Sequence, residues 1–148
     1  MNTLICWIGN ADLSAAEAGD ALNLGPIAQA LKVGGYTHVL LLNNYLNDRV
    51  TTYRQWLTSQ FTTVIDIWPV ELTSPTNHKE IYEAVRNILC EFVARYPESS
   101  LTFHLSPGTP AMSLVWMLLA PTYGARVIES SREKGVQQVQ FPFEIAAY

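Results

Sequence analysis

Charged residues are scarce in this sequence. Asp, Glu, Lys and Arg make up only 15% of its 148 residues, whereas about a quarter is usual for a globular domain. The formal net charge is −4. Proteins that bind duplex DNA or long RNA through the backbone need a broad basic surface. The charge balance therefore argues against direct duplex DNA binding, and the low charge content suggests that a protein partner covers part of the surface.

Cysteine and histidine are also rare, with two and three residues. Cys6 lies in an apolar run and Cys90 lies in a helical pattern, and neither has the spacing of a metal or redox site. We expect both cysteines to be core residues. Because the histidines are scattered and form no ligand motif, the sequence predicts no metal site and no cofactor.

The sequence contains no apolar run long enough to span a bilayer. The short run at residues 3–8 follows no basic segment and is too short for a secretion signal. We therefore expect a cytoplasmic protein with no membrane partner. Hydrophobic residues nevertheless make up 49% of the chain, which is enough to build the core of one domain over residues 1–148.

Short apolar runs alternate with helical patterns along this domain. Strands that alternate with helices indicate a parallel α/β sheet with right-handed crossovers. We predict a Rossmann-like three-layer sandwich with a six-stranded sheet in the order 3-2-1-4-5-6 and an antiparallel hairpin at its C-terminal edge. The predicted strands are residues 3–8, 38–42, 63–70, 101–105, 126–129 and 136–141, and the predicted helices are residues 26–34, 47–60, 78–96 and 110–120.

Two of these helices have clear capping signals. Asn77 followed by Glu80 fits a capping box, in which each side chain bonds to the backbone of the other. Thr109 and Pro110 are favoured as the cap and the first residue of the last helix. That helix is apolar on nearly all sides, which is typical of a helix that packs against both a sheet and a neighbouring element or second subunit.

The strand order also predicts where a ligand binds. In such a sheet the winding reverses between the first and fourth strands, and ligands bind outside the carboxyl ends of the strands at this point. Residues 9–12 and 106–110 follow these two strands as loops. The candidate ligand-binding residues are Gly9, Asn10, Ala11, Asp12, Asn44, Ser106, Pro107, Gly108, Thr109, Pro110 and Met112.

The stretch SPGTP (residues 106–110) suits close approach to an anion. Gly108 permits a tight turn, and the backbone N–H groups at a helix start attract negative charge. The stretch contains no Lys or Arg, so it is not the phosphate loop of an ATPase. An alternative is that the stretch is only a sharp connection between a strand and a helix.

Three segments, WIGNADL, GPIAQAL and LSPGTPAMSLVW, together resemble CARF domains (CRISPR-associated Rossmann fold). The most similar are the sensor domains of sigma-54-dependent transcriptional activators related to RNA-repair regulators. The resemblance implies a homodimer with one shared pocket for a cyclic oligoadenylate or an RNA-end ligand. It also implies an effector domain after residue 148 that acts in transcription. Many relatives carry a basic or polar residue where this sequence has Pro110.

Two functional alternatives remain open. Some CARF domains are ring nucleases that slowly cleave their cyclic ligand by orienting a ribose 2′-hydroxyl. The chain is instead a ligand-free dimerisation module if Trp7 or Met112 fills the pocket. A serine hydrolase would need a base beside Ser106, and His104 is the nearest histidine in sequence. A phosphoacceptor domain would need clustered acidic residues after the first strand. We predict no catalytic residues.

Overall fold

The computed structural model, which describes residues 1–19, 23–45 and 48–140, consists of one sheet with helices on both faces. The strands in the described residues are β1 (Asn2–Trp7), β2 (His38–Asn43), β3 (Val64–Pro69), β4 (Ser100–His104), β5 (Arg126–Ser131) and β6 (Gly135–Gln138). The helices are α1 (Asn10–Ala18), α2 (Pro26–Gly34), α3 (Asp48–Gln60), α4 (His78–Arg95) and α5 (Pro110–Tyr123).

The sheet has the predicted topology. Its strand order is β3-β2-β1-β4-β5-β6. The first five strands are parallel, and β6 pairs with β5 in the antiparallel direction. β1 lies at the centre, where Ile5 is in register with Leu40 of β2 and with Phe103 of β4. The Rossmann-like prediction and the C-terminal edge hairpin are confirmed.

Two apolar layers enclose the sheet, because alternate residues of a strand point to opposite faces. Ile5 and Trp7 of β1 pack in the layer formed with α4 and α5. Leu4 and Cys6 pack in the opposite layer with α2 and α3. Both faces of the central strand are therefore buried, which explains why its sequence is a continuous apolar run and does not alternate with polar residues.

Helix α5 is buried against the sheet but keeps one exposed apolar strip. Trp116 is fully buried and packs on Phe103 with ring centroids 4.6 Å apart. Leu114 and Leu118, one turn apart, are 47% and 55% exposed. Among the residues that the structure describes, no helix combines the length and apolarity needed to cross a membrane. The cytoplasmic location stays a prediction.

The predicted cap of α4 is confirmed in its first half only. The Asn77 side chain accepts a hydrogen bond from the Glu80 N–H, with a distance of 3.1 Å. The Glu80 carboxylate does not bond back to Asn77. It accepts hydrogen bonds from the Ser74 N–H at 3.1 Å and the Thr73 hydroxyl at 2.9 Å. The Glu80 carboxylate therefore holds the loop that precedes α4, at Thr73 and Ser74, against the first turn of the helix.

Three other sequence predictions need correction. Asn10, Ala11 and Asp12 are not loop residues but form the first turn of α1, a helix whose sequence has no strong apolar stripe. Cys6 is buried as predicted, whereas Cys90 is exposed on α4, so its core assignment is wrong. The hairpin turn is shorter than predicted, because β5 extends to Ser131. Residue 141, the predicted end of β6, lies outside the described residues.

Candidate ligand-binding site

The turns that follow β1 and β4 touch each other at the carboxyl end of the sheet. A Cβ atom added to Gly9 would lie 2.8 Å from the backbone nitrogen of Gly108 and 3.5 Å from the carbonyl carbon of Pro107. The first of these distances is shorter than real Cβ contacts, so a residue larger than glycine would push the two turns apart. The structure thus brings together the two predicted segments where the sheet reverses its winding.

Gly108 is required by its backbone conformation and by its neighbours. Its φ angle is +94°, in the region that favours glycine. A Cβ atom there would lie 2.6 Å from Met112 Sδ and 3.4 Å from Trp7 Cβ. Both of these side chains are buried beneath the turn. Met112, a predicted ligand-binding residue, therefore supports the turn from below.

Asp12 points into the protein. Its side chain is fully buried, with Oδ2 accepting a hydrogen bond from the Gly9 N–H at 3.0 Å and Oδ1 accepting one from the Ile27 N–H at 2.9 Å. Burial raises the pKa of Asp12 to about 7, although these hydrogen bonds lower it. The carboxyl group ties the β1–α1 turn to the start of α2, so it positions the site from inside.

Ser106 and His104 are both held by Ser130 of β5. The Ser106 hydroxyl donates to the Ser130 carbonyl at 3.1 Å and accepts from the Ser130 N–H at 2.7 Å. His104 Nε2 lies 2.8 Å from Ser130 Oγ. Burial lowers the pKa of His104 to about 4, so the imidazole is neutral at pH 7. Ser106 is thus engaged with backbone and not with a base, which does not favour a hydrolase.

Thr109 caps α5 as predicted and also anchors a neighbouring loop. Its hydroxyl accepts a hydrogen bond from the Met112 N–H at 3.3 Å and donates one to the Pro75 carbonyl at 2.7 Å. The Ser113 N–H donates to the Thr109 carbonyl at 3.1 Å, and Pro110 has no N–H. Three of the first four positions of α5 (110, 112 and 113) therefore offer no N–H to an anion, fewer donors than the sequence predicts.

The predicted residues differ in their access to solvent. Gly9, Asp12, Pro107 and Met112 are buried. The remaining seven are half-buried or exposed, and they are Asn10, Ala11, Asn44, Ser106, Gly108, Thr109 and Pro110. The β4–α5 turn lines a shallow open depression of ≈ 400 Å³, where Glu129 adds a carboxylate. A ligand approaching this end of the sheet meets backbone, hydroxyl and amide groups first.

Sequence reasoning missed a basic side chain at this end. Arg49, in the first turn of α3, donates from Nη1 to Asn10 Oδ1 at 3.1 Å and from Nε to Glu17 Oε1 at 2.5 Å. Arg49 and Asn10 are 39 residues apart, so no local motif links them. The available signal was topological, because α3 starts just after the carboxyl end of β2, the strand beside β1.

A larger cavity of ≈ 650 Å³ opens at the opposite, amino end of the sheet. Its lining includes Tyr36, Tyr123 and Arg126 but none of the predicted site residues. Ligands of doubly wound sheets bind at the carboxyl ends of the strands, so we favour the smaller depression. In the described part of the chain, no three His, Cys, Asp or Glu side chains form a group that could hold a metal ion.

No protein-family profile and no curated protein sequence matches this chain. Solved structures do match in fold. Csm6 of Enterococcus italicus bound to cyclic hexa-2′-fluoro-hexa-dAMP has a TM-score of 0.73 at 18% identity, over 93% of this chain. Can2 from Sulfobacillus thermosulfidooxidans in complex with cyclic tetra-adenylate has a TM-score of 0.63 at 17% identity, over 97%. Protein VC1899 from Vibrio cholerae has a TM-score of 0.62 at 13% identity, over 94%.

The chain spans a little more than a third of each of these proteins, namely 35%, 39% and 36% of their lengths. The likeness is one of fold, since the identities are low. The narrower resemblance to sensor domains of sigma-54-dependent activators stays a prediction. The strand order and these neighbours together show that the chain has a Rossmann-like fold shared with Csm6 and Can2, as the sequence resemblance to CARF domains predicts.

Proposed function

We propose that this chain is a nucleotide-sensing domain that binds a cyclic oligoadenylate or a related RNA-derived ligand at the carboxyl ends of β1 and β4. One observation carries the proposal, namely the contact between Gly9 and Gly108 that joins the two turns into a single surface. Two neighbours in fold, Csm6 and Can2, were solved with cyclic oligonucleotides bound. Their ligands support the proposed ligand class.

The ligand meets this surface through groups that suit a nucleotide. Asn10 and Ala11 are exposed at the start of α1, where the helix dipole and the N–H groups of these two residues favour a phosphodiester. The N–H groups of Asp12 and Leu13 donate to the Gly9 carbonyl. Gly108 and Pro110 are exposed on the β4–α5 turn and provide a small, flat approach. The structure therefore offers donors on one turn and close backbone approach on the other.

The domain acts as a homodimer in this proposal, because a shallow and open surface encloses a ligand only when a second copy covers it. Leu114 and Leu118 support the interface, since they form an exposed apolar strip on the helix that begins at the site. Changing Leu118→Lys should give a monomer in sedimentation velocity at tens of micromolar. The matched control Val33→Lys changes another exposed apolar residue, on α2 (66% exposed, against 55% for Leu118), and should stay dimeric. A monomeric wild-type protein contradicts the shared pocket.

Ligand binding in the shared pocket controls an attached effector in this proposal. The support is the sequence resemblance to sensor domains of transcriptional activators, together with neighbours in fold of which this chain spans only 35% and 39%. The test is a promoter-reporter assay on the full-length gene product with and without cyclic tetra-adenylate. Reporter output that is independent of the nucleotide contradicts transcriptional control.

Isothermal titration with cyclic tri-, tetra- and hexa-adenylate tests the binding itself, with linear hexa-adenylate and RNA ending in a 2′,3′-cyclic phosphate as comparisons. A ligand at one hundred times its Kd should also raise the unfolding free energy by about 2.7 kcal/mol. Asn10→Ala should weaken binding about tenfold through loss of a polar contact. Asn87→Ala, an exposed asparagine on α4, is the matched control and should bind normally.

The outcomes separate the remaining alternatives. Binding with recovery of intact ligand after overnight incubation supports a sensor. Conversion to linear product identifies a ring nuclease. If none of the five nucleotides binds while the protein is dimeric, the ligand-free dimerisation module is the correct interpretation.

A further inference from the structure

Arg49 is the basic side chain that the fold brings to the proposed site. Its guanidinium donates to Asn10 Oδ1 at 3.1 Å, to Ser14 Oγ at 3.4 Å and to Glu17 Oε1 at 2.5 Å. These three acceptors lie on α1, and Asn10 is the first residue of that helix. The charge therefore sits at the mouth of the site, beside the turn that contacts Gly108.

A cyclic oligoadenylate carries one negative charge on each phosphodiester, and the site needs a group to neutralise it. The start of α5 supplies little, because Met112 and Ser113 already donate within the protein and Pro110 has no N–H. Glu129 adds negative charge on the far side of the β4–α5 turn. The phosphate is therefore drawn to the α1 side, where the guanidinium lies.

The ion pair that holds Arg49 is one that a ligand can replace. The Arg49 side chain is 35% exposed and the Glu17 side chain 44% exposed. Ion pairs in such a setting stabilise a protein only slightly, because water screens them. A phosphate can take both N–H donors of a guanidinium side by side, and this geometry makes arginine a strong phosphate ligand.

We propose that Arg49 contacts a ligand phosphate and that Glu17 holds the guanidinium when the ligand is absent. The inference rests on the proposed function, because it concerns the same site. Glu17 and the phosphate compete for one cation. Removing Glu17 therefore strengthens binding, whereas removing Arg49 weakens it and lowers its dependence on salt.

The test measures the Kd of cyclic tetra- and hexa-adenylate by titration at several salt concentrations. Arg49→Gln should weaken binding 10- to 100-fold, the range for a lost hydrogen bond to a charged group. The slope of log Kd against log salt concentration should become smaller, because salt screens one ion pair fewer between the protein and the ligand. Glu17→Gln should tighten binding a few fold, and in the Arg49→Gln background it should have no effect.

Two controls match these charge changes elsewhere. Arg54→Gln removes a charge from the same helix, where Arg54 donates to the Ile65 carbonyl. Glu91→Gln breaks the exposed ion pair of α4 with Arg95. Both variants should bind as the wild type does. If both control variants bind the nucleotide as the wild type does, an effect of changing Arg49 or Glu17 is local. If they show the same effect, it reflects only the net charge.

Two outcomes would contradict the proposed role of Arg49 in ligand binding. If Arg49→Gln binds as tightly as wild type, or if Glu17→Gln weakens binding as much as Arg49→Gln does, the pair only fastens α3 to α1 and the inference is wrong. Melting temperatures check this, because a purely structural pair would lower stability in both variants, and more in Arg49→Gln, which also loses the bonds to Asn10 and Ser14. If the wild type binds neither nucleotide, the proposed function has failed at an earlier step.

Discussion

The two turns at the carboxyl end of the sheet are closed by different chemistry. The β1–α1 turn is held by a buried carboxyl group, Asp12, which accepts hydrogen bonds from two backbone N–H groups. The β4–α5 turn is held by the hydroxyl groups of Ser106 and Thr109, which bond to a neighbouring strand and loop. One buried titratable group flanks each turn, Asp12 in the first turn of α1 and His104 at the end of β4. Burial shifts the pKa of Asp12 upward and that of His104 downward.

This difference separates a rigid side of the site from an adjustable one. The bonds of Asp12 are buried and join two helix starts, so their loss is expensive. The bond from Thr109 to Pro75 is exposed and the bond from Ser106 to Ser130 is partly buried. Both are neutral, and such bonds contribute about 1 kcal/mol each. We expect a ligand to rearrange the β4–α5 turn against a fixed β1–α1 turn.

The largest expected effect is on the pH dependence of the unfolding free energy, to which Asp12 and His104 contribute in opposite directions. The pKa of Asp12 rises from 3.8 to about 7 on folding, so the folded state holds an extra proton between these values and stability falls as pH rises. The pKa of His104 falls from 6.5 to about 4, so the unfolded state holds the extra proton and stability rises with pH. Each slope is at most about 1.4 kcal/mol per pH unit.

Urea unfolding at pH 4.5, 5.5 and 6.5 measures these slopes. In the wild type the two contributions oppose each other. Relative to wild type, Asp12→Asn should make stability rise more steeply with pH, and His104→Gln should make it fall with pH. Parallel profiles for all three proteins would show that neither group changes its pKa on folding.

A methyl group at Gly9 should have the next largest effect. The new Cβ would meet the backbone of Gly108 at 2.8 Å, which cannot move aside as a side chain can. We expect Gly9→Ala to lower the unfolding free energy by about 2 kcal/mol, within the range for overpacking. The φ angle of Gly9 is −105° and adds no strain, so an unchanged stability would mean that the two turns do not touch.

The same change at Gly108 should be milder. The backbone at φ +94° disfavours alanine by about 1–2 kcal/mol, but the atom in the way is Met112 Sδ, the end of a flexible side chain. Gly124→Ala is the matched control, because its φ is also positive and no atom lies within 4 Å of its added Cβ. Thermal unfolding should show similar losses for the two variants, whereas only Gly108→Ala should weaken cyclic oligoadenylate binding.

The smallest effect is expected at Thr109. Thr109→Ala removes the cap of α5 and the bond to the Pro75 carbonyl, at a cost of about 1 kcal/mol. Thr109→Ser keeps the hydroxyl and should melt like the wild type. Because this hydroxyl is already engaged, ligand affinity should change little, and a large loss of affinity without a loss of stability would show that Thr109 leaves Pro75 to bind the ligand.

Most of the fold follows from local patterns. The apolar runs of β1 and β2 predict strands buried on both faces, and Asn77, Thr109 and Pro110 mark the starts of α4 and α5. The sequence pattern does not predict helix α1, because it has no apolar stripe and only Asp12, Leu13 and Ala15 are buried, although its alanines favour a helix. Its helix forms because it packs on α3 and α2, which no local pattern reveals.

The amino-acid sequence by itself determined the alternation of strands with helices and the turns after β1 and β4, because periodicity and turn residues act over a few neighbouring positions. The strand order is predicted from the common topology of doubly wound sheets. Only the tertiary structure decided which of these residues face outward. It turned Asp12 inward, placed Met112 beneath Gly108 and brought Arg49 to Asn10. Burial and long-range pairing depend on how elements pack, and residues 39 positions apart meet only in the folded chain.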